Sequence, residues 1–174
     1  MEVKKVVVGA LEENCYILEK DNTCLVVDPG ADYQKIKDVI GDKKVLGVLI
    51  THSHFDHIGA LRNFLTKRSV KIFKKSNLEE KEYKIGDFTF ECIYTPGHSK
   101  DSVTFYFKEE NIMFIGDFIF KESIGRTDLP GGDPIEMQDS IEKIKNYDKT
   151  ITIYPGHYEE STLENEFKKN SFLI

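Results

Sequence analysis

Clusters of positive charge are missing from this sequence. No run of basic residues exceeds two, and 30 acidic side chains outnumber 24 lysines and arginines, a formal net charge of −6. Nucleic acid and anionic membrane both require grouped Lys and Arg, so neither is expected as a partner. No apolar stretch approaches the length of a membrane span. The segment Met1–Val8 has too short an apolar run, and no clear cleavage site, for a secretory leader, and a cytoplasmic protein is expected. Cysteine is scarce and lacks C-x-x-C spacing. Cys15, Cys24 and Cys92 are odd in number and lie in apolar segments, which reads as small buried thiols in a reducing compartment rather than disulfides or metal ligands. Repeats, low-complexity blocks and Pro/Gly/Ser-rich linkers are also lacking. Residues 1–174 are therefore expected to form a single domain, long enough to bury a core unaided, and the 40% hydrophobic content with 12 Phe and 8 Tyr is that of a folded globule.

Apolar or alternating runs mark strands at Val3–Val8, Cys15–Leu18, Cys24–Asp28, Val45–Ile50, Lys71–Phe73, Phe88–Tyr94, Val103–Phe107, Ile112–Ile115 and Ile151–Tyr154. Helical spacing predicts helices at Tyr33–Ile40, Ile58–Leu65, Pro134–Ile144 and, more weakly patterned, Leu163–Lys169. Asp133 before Pro134 reads as an N-cap followed by a first-turn proline. Strands interspersed with helices imply a mixed α/β layered domain.

What the chain does have is histidine concentrated in ligand-like motifs. All five histidines lie in three of them: Thr51-His52-Ser53-His54-Phe55-Asp56-His57, Pro96-Gly97-His98 and Pro155-Gly156-His157. Four predicted strands run straight into a turn bearing His or Asp, at Thr51-His52, Pro96-Gly97-His98, Gly116-Asp117 and Pro155-Gly156-His157. Proline and glycine there end sheet pairing and allow sharp redirection of the backbone. If those strand ends share one edge, the four loops converge, and a rigid edge with loop-borne ligands is how a fold holds a catalytic metal. His52, His54, Asp56 and His57 cannot all reach one ion from one short loop, but they can serve two. Adding His98, Asp117 and His157 gives five nitrogen ligands and two carboxylates, enough for two four- or five-coordinate sites with room for a bridging water. Taken singly, a loop histidine is commonly solvated and an Asp after Gly commonly forms a turn. Taken together, all five histidines would need unrelated explanations.

These motifs, with Glu13-Asn14-Cys15-Tyr16 and Asp28-Pro29-Gly30 ahead of them, closely resemble the metallo-β-lactamase superfamily over nearly the whole chain. The resemblance implies a four-layer αββα sandwich with a dinuclear site at one edge of the β-sandwich. It places one ion on His52, His54 and His98 and the second on Asp56, His57 and His157, with Asp117 bridging. The superfamily's β-lactam hydrolases usually lack a histidine after that Asp and often have Cys at the place of Asp117. Its flavodiiron members typically carry Glu at the place of His54, and its RNA-processing members have a basic surface or a long insertion. What remains is similar to the glyoxalase-II group. The stretch Gly125–Asp133 resembles a loop of its short, single-domain bacterial members and of the related persulfide dioxygenases.

Arg126, in that loop, is one of three arginines beside 21 lysines. Its planar fork suits capture of a substrate carboxylate, and it equally suits a salt bridge to Asp128 that shapes the loop. The larger glyoxalase-II enzymes use a C-terminal helical domain to supply bases to glutathione. Here 17 residues follow His157, with Lys168 and Lys169 as their bases, so that route to glutathione is not expected. Asp101 stands where relatives often have Gly. The expected activity is metal-dependent hydrolysis of a 2-hydroxyacyl thioester such as S-lactoylglutathione. Two divalent ions, zinc first with iron or manganese also accommodated, would activate a water, and Asp56 would hold or accept its proton as well as ligate. The rival expectation is a persulfide dioxygenase with a single ferrous ion on His52, His98 and Asp117, two nitrogens and a carboxylate suited to oxygen activation.

Overall fold

The structure, a computed structural model, describes residues 1–66 and 69–174. In chain order the elements are β1 (Glu2–Val8), β2 (Glu13–Lys20), β3 (Thr23–Val27), α1 (Tyr33–Ile40), β4 (Lys44–Leu49), α2 (Phe55–Ile58), α3 (Arg62–Leu65), β5 (Lys71–Phe73), β6 (Glu82–Ile85), β7 (Phe88–Tyr94), β8 (Val103–Phe107), β9 (Ile112–Gly116), β10 (Ile119–Phe120), β11 (Ser123–Ile124), α4 (Pro134–Ile144), β12 (Thr152–Pro155), β13 (Ser161–Thr162) and α5 (Leu163–Lys169). One sheet has the order β1-β2-β3-β4-β5, the other β13-β12-β9-β8-β7-β6, and β10 with β11 forms a separate hairpin.

Three apolar layers make this a four-layer αββα sandwich. The middle layer lies between the sheets, with Tyr16, Leu18, Leu25, Val27 and Leu49 facing Phe88, Phe90, Phe105, Phe107 and Phe114. On the far side of the first sheet, Cys15, Ile17, Cys24, Val26 and Val48 meet Ile36 and Ile40 of α1 and Phe64 of α3. Beyond the second sheet, Ile93, Met113, Ile115 and Ile153 meet Met137, Ile141 and Ile144 of α4 and Leu163 of α5. Strand β2 shows the cause: Cys15 and Ile17 point one way, Tyr16 and Leu18 the other, and both faces are covered. Edge-to-face aromatic pairs, Phe90 on Phe105 at 5.6 Å and Phe107 on Phe114 at 5.7 Å, add about 0.5–1.5 kcal/mol each beyond their burial.

Helices α1, α4 and α5 fall where the sequence places them, and Asp133 caps α4 by accepting from the backbone N–H groups of Ile135 and Glu136. The single helix expected over Ile58–Leu65 is instead two short ones, α2 and α3. Between them the Ala60 N–H donates to the Pro29 carbonyl at 2.9 Å, a tertiary bond that diverts it from any helical partner. The short strands β6, β10, β11 and β13 carry too few residues to show a period and are missed by pattern reading. The three cysteines are buried and unbonded. No helix among the described residues is long and apolar enough to cross a membrane.

Strand direction positions the site. Strand β12 runs parallel to β9, and β7 and β9 are both antiparallel to β8, so β7, β9 and β12 end on the same edge of their sheet. The first sheet is tied to that edge by Val103 N–H donating to Thr51 O at 2.8 Å and by the Tyr16 hydroxyl donating to Pro155 O at 2.6 Å. The loops after β4, β7, β9 and β12 therefore meet.

Candidate metal centre

The first group is three imidazoles in mutual contact. His54 Nδ1 lies 3.1 Å from His52 Nε2 and 2.9 Å from His98 Nε2. In the second group His157 Nε2 is 3.3 Å from Asp56 Oδ2, and His57 Nε2 is 3.9 Å from the same oxygen. Asp117 stands between the two, with Oδ1 3.3 Å from His57 Nε2 and Oδ2 3.5 Å from His98 Nε2 and 3.6 Å from His157 Nε2. All seven residues singled out in the sequence thus converge after β4, β7, β9 and β12, grouped as the resemblance implies. Both triads bring one donor atom from each residue within ligating reach of the others.

The outward-facing ring nitrogens explain why these imidazoles face inward. His98 Nδ1–H donates to the Arg126 carbonyl at 2.8 Å, and His157 Nδ1–H to the Leu11 carbonyl at 3.1 Å. A carbonyl only accepts, so each ring carries its proton on Nδ1 and turns the Nε2 lone pair to the centre. For His52 and His57 the anchor is Asp28. Its carboxylate accepts from the Thr51 backbone N–H at 2.7 Å, from the Thr51 hydroxyl at 2.5 Å and from His57 Nδ1–H at 3.0 Å. With its one proton given to Asp28, the Thr51 hydroxyl is left to accept from His52 Nδ1–H at 3.2 Å. Asp28 also lies within ligating reach of His52 and His57, but its oxygens are committed to these bonds and it serves as their anchor.

The donor set fits a metal. The Nε2 atoms of His52 and His98 are lone pairs by the tautomers above, and a single His54 proton cannot serve both. A cation relieves the repulsion, and tetrahedral zinc with Zn–N of about 2.0–2.1 Å separates its nitrogens by about 3.3 Å, close to the spacings here. His57 Nε2 and Asp117 Oδ1 are buried and lack a well-directed hydrogen bond among the described residues. Electrostatics divides the rings. Burial, then the neighbouring imidazoles, hold His52 well below the usual imidazole range, and burial with His98 lowers His54. Burial opposes charging His57 as well, yet Asp117 and Asp28 hold it well above that range. Burial likewise works against ionising Asp117 and Asp56, and His57 and His157 respectively outweigh it and keep both carboxyls low.

Two buried acids behind the ligands escape pattern reading. Asp28 and Glu13 are 2% and 1% exposed. Burial pushes Glu13 up to about 10, so it stands protonated behind His57. A signal existed for Asp28, a charged residue closing an apolar strand before Pro29-Gly30. Asp101 does not join the centre. It accepts from the Ser53 hydroxyl at 2.5 Å and the Ser99 hydroxyl at 2.8 Å, tying the loops that carry His54 and His98. Arg126 lies on the rim, not at the centre. Its Nε and a terminal nitrogen grip the two oxygens of Asp128 at 2.7 and 2.8 Å, and both side chains are mostly exposed. The cleft above the centre is about 580 Å³ and is lined by His54, Asp56, His98, Asp117 and His157 at its floor, with Arg126 at its mouth.

A histidine-rich, two-cluster metal centre on the loop edge of an αββα sandwich defines a class of metalloenzyme. The chain belongs to the metallo-beta-lactamase superfamily, whose family profile matches residues 8–82 and 75–157. It is 32% identical to the probable metallo-hydrolase YqgX of Bacillus subtilis, covering 99% of this chain and 98% of that one. It is 28% identical to the hydroxyacylglutathione hydrolase GloC of Haemophilus influenzae, again covering 99% and 98%. Among solved structures it superposes on the BLEG-1 B3 metallo-beta-lactamase with a TM-score of 0.92 at 31% identity, over 99% of each chain.

Proposed function

We propose that this protein is a dinuclear metal-dependent hydrolase of acyl thioesters. The observation that carries it is the pairing of two complete ligand groups, His52/His54/His98 and Asp56/His57/His157, about a shared Asp117. Those seven residues would hold two divalent ions, zinc foremost, with iron or manganese compatible with the same donors. Bound there, the ions supply Lewis acidity that brings a water's pKa toward neutrality and polarises a carbonyl oxygen.

The chain's own groups do the rest. Asp56 lines the cleft and is kept ionised by its neighbours, so its free oxygen accepts a proton from the attacking water. The carbonyl carbon gains the water oxygen, and the C–S bond breaks with its electron pair leaving on sulfur. One water proton passes to Asp56 and the other to the thiolate or solvent. A thiol of the cysteine kind has a pKa of about 8.5, so the thiolate departs without a strong general acid. That suits a centre in which every histidine is engaged as a ligand. The names of relatives such as GloC support this reaction class, for which S-lactoylglutathione and other 2-hydroxyacyl thioesters are reference substrates. Arg126 is the cation at the rim, and Asp128 already holds it through two hydrogen bonds.

A persulfide dioxygenase with one ferrous ion on His52, His98 and Asp117 would leave His54, Asp56, His57 and His157 without a ligand's task. The test is metal content per chain, cleavage of thioesters and of a chromogenic β-lactam, and oxygen uptake on glutathione persulfide. Two ions and thioester cleavage without oxygen uptake support the proposal. One iron with oxygen uptake, or β-lactam cleavage alone, overturns it. His54→Ala should lower hydrolysis by orders of magnitude with the fold intact, and near-normal turnover would refute the first ligand group.

A further inference from the structure

The walls of the cleft differ in character from its floor. Leu11, Phe55, Phe120, Ile124, Leu129 and Tyr158 surround the metal centre. Three of them are conspicuously open for apolar side chains, Leu11 at 53%, Phe55 at 75% and Tyr158 at 71% exposure. The six come from three separate loops, the start of α2 and the β10–β11 hairpin, with the Phe120 and Tyr158 rings 5.4 Å apart at a near right angle. Apolar groups that cost free energy in water, grouped round a polar floor, make a surface for an apolar ligand part.

Charge at the mouth points the same way. Among the described residues Arg126 is the only cation lining the cleft, and Asp128 already holds it through two hydrogen bonds. Lys121, beside Phe120 in sequence, and Lys5, near Leu11 and Tyr158, are likewise paired, with Glu159 at 2.7 Å and Glu160 at 3.4 Å. Glu12 and Glu122 add exposed negative charge beside Leu11 and Ser123. A thiol arm bearing carboxylates would meet no unpaired Lys or Arg among the described residues that line the cleft, and several acids beside it.

We infer that the cleft takes a thioester with an apolar acyl group and a thiol arm free of carboxylates. This rests on the thioester-hydrolase reading above and names the substrate class within it. The acyl chain lies along Leu11, Phe55 and Tyr158, which shield the carbonyl from bulk water, while the uncharged arm leaves past the Arg126–Asp128 pair. Glutathione thioesters are then the poorer members of the class.

The test uses metal-loaded protein and two matched series, acetyl to octanoyl thioesters of N-acetylcysteamine and the same acyl groups on glutathione. In the neutral series kcat/KM should rise about fourfold per fully buried methylene. The glutathione series should lie at least about tenfold lower, a carboxylate near an unrelieved acidic rim costing a factor of that order. Phe55→Ala and Leu11→Ala, both at exposed positions that the fold does not need, should flatten the chain-length slope. Asp128→Asn, which releases Arg126, should narrow the gap between the two series. A slope of zero, or faster glutathione thioesters, overturns the inference. Calorimetry with uncleavable S-alkyl thioethers separates the two claims. Affinity that grows with chain length while no thioester is cleaved would remove the hydrolase reading and keep the apolar cleft. Affinity indifferent to chain length would remove the cleft's assignment whatever is cleaved.

Discussion

Replacing Asp28 by asparagine keeps the shape of the side chain and removes its charge at the point where two metal-facing rings are anchored. The wild-type carboxylate accepts three hydrogen bonds, two from Thr51 and one from His57, at 2.5–3.0 Å and in full burial. An amide has one accepting oxygen and one donating nitrogen. If the nitrogen takes the Oδ2 place, it confronts His57 Nδ1–H, and the ring escapes the clash by moving its proton to Nε2, which removes the lone pair from the centre. If it takes the Oδ1 place, it confronts the Thr51 backbone N–H and leaves that buried donor unpaired. Either arrangement costs about 1–3 kcal/mol. With about 1.4 kcal/mol per tenfold, that agrees with the about 10–100-fold loss of metal affinity that follows removal of a partner behind a ligand. The assay is metal titration against a competing chelator dye at neutral pH, with circular dichroism to verify the fold. Thr51→Val, which removes the hydroxyl between Asp28 and His52 but keeps the Asp28–His57 bond, should weaken binding less than Asp28→Asn. Wild-type affinity in a folded Asp28→Asn protein would refute the argument that Asp28 sets the tautomers.

Gly156→Ala should fold yet bind metal poorly, because an added Cβ would stand 2.5 Å from His57 Cε1 and closer still to Asp117 Oδ1. Relieving such overlap costs about 1–3 kcal/mol, and metal stoichiometry near wild type would contradict it. Asn170→Ala should lower Tm by about 5 °C in a thermal scan. The buried Asn170 amide holds the Phe120 and Ser123 carbonyls of the cleft hairpin and the Glu166 carboxylate, at 3.3, 2.8 and 2.9 Å. An unchanged Tm would deny that α5 clasps the hairpin. On the acid side, His52 has its folded pKa below the unfolded imidazole value of 6.5. The unfolded chain then binds the extra proton first, so this stability is full above about 6.5 and is lost as pH falls below it. His57 and His157, raised in the metal-free chain, work the other way, but bound metal needs every one of these rings neutral and sets the trend in the loaded protein. Thermal scans of metal-loaded protein stepped from neutral to mildly acidic pH should show Tm falling, and a flat profile would contradict it.

Much of this protein was decided along the chain itself. The strands that feed the site are apolar runs, three of the four closed by proline or glycine, and a short-range signal of that kind survives in a bare sequence. The seven candidate ligands were legible for the same reason, since each sits next to the turn that presents it. Other features came only with the tertiary structure. The break between α2 and α3 depends on Ala60 reaching Pro29, and no local spacing encodes that bond. Asp28 acquires its role from Thr51 and His57, more than twenty residues downstream. Arg126 had two readings in sequence, and its pairing with Asp128 depends on the path of an exposed loop. The apolar walls of the cleft unite Leu11, Phe55, Phe120 and Tyr158, which share no period because they share no element. Local conformational preference acts over a few neighbours and writes itself into the sequence. Hydrogen bonds and apolar contacts between distant segments exist only once the two sheets have closed on each other.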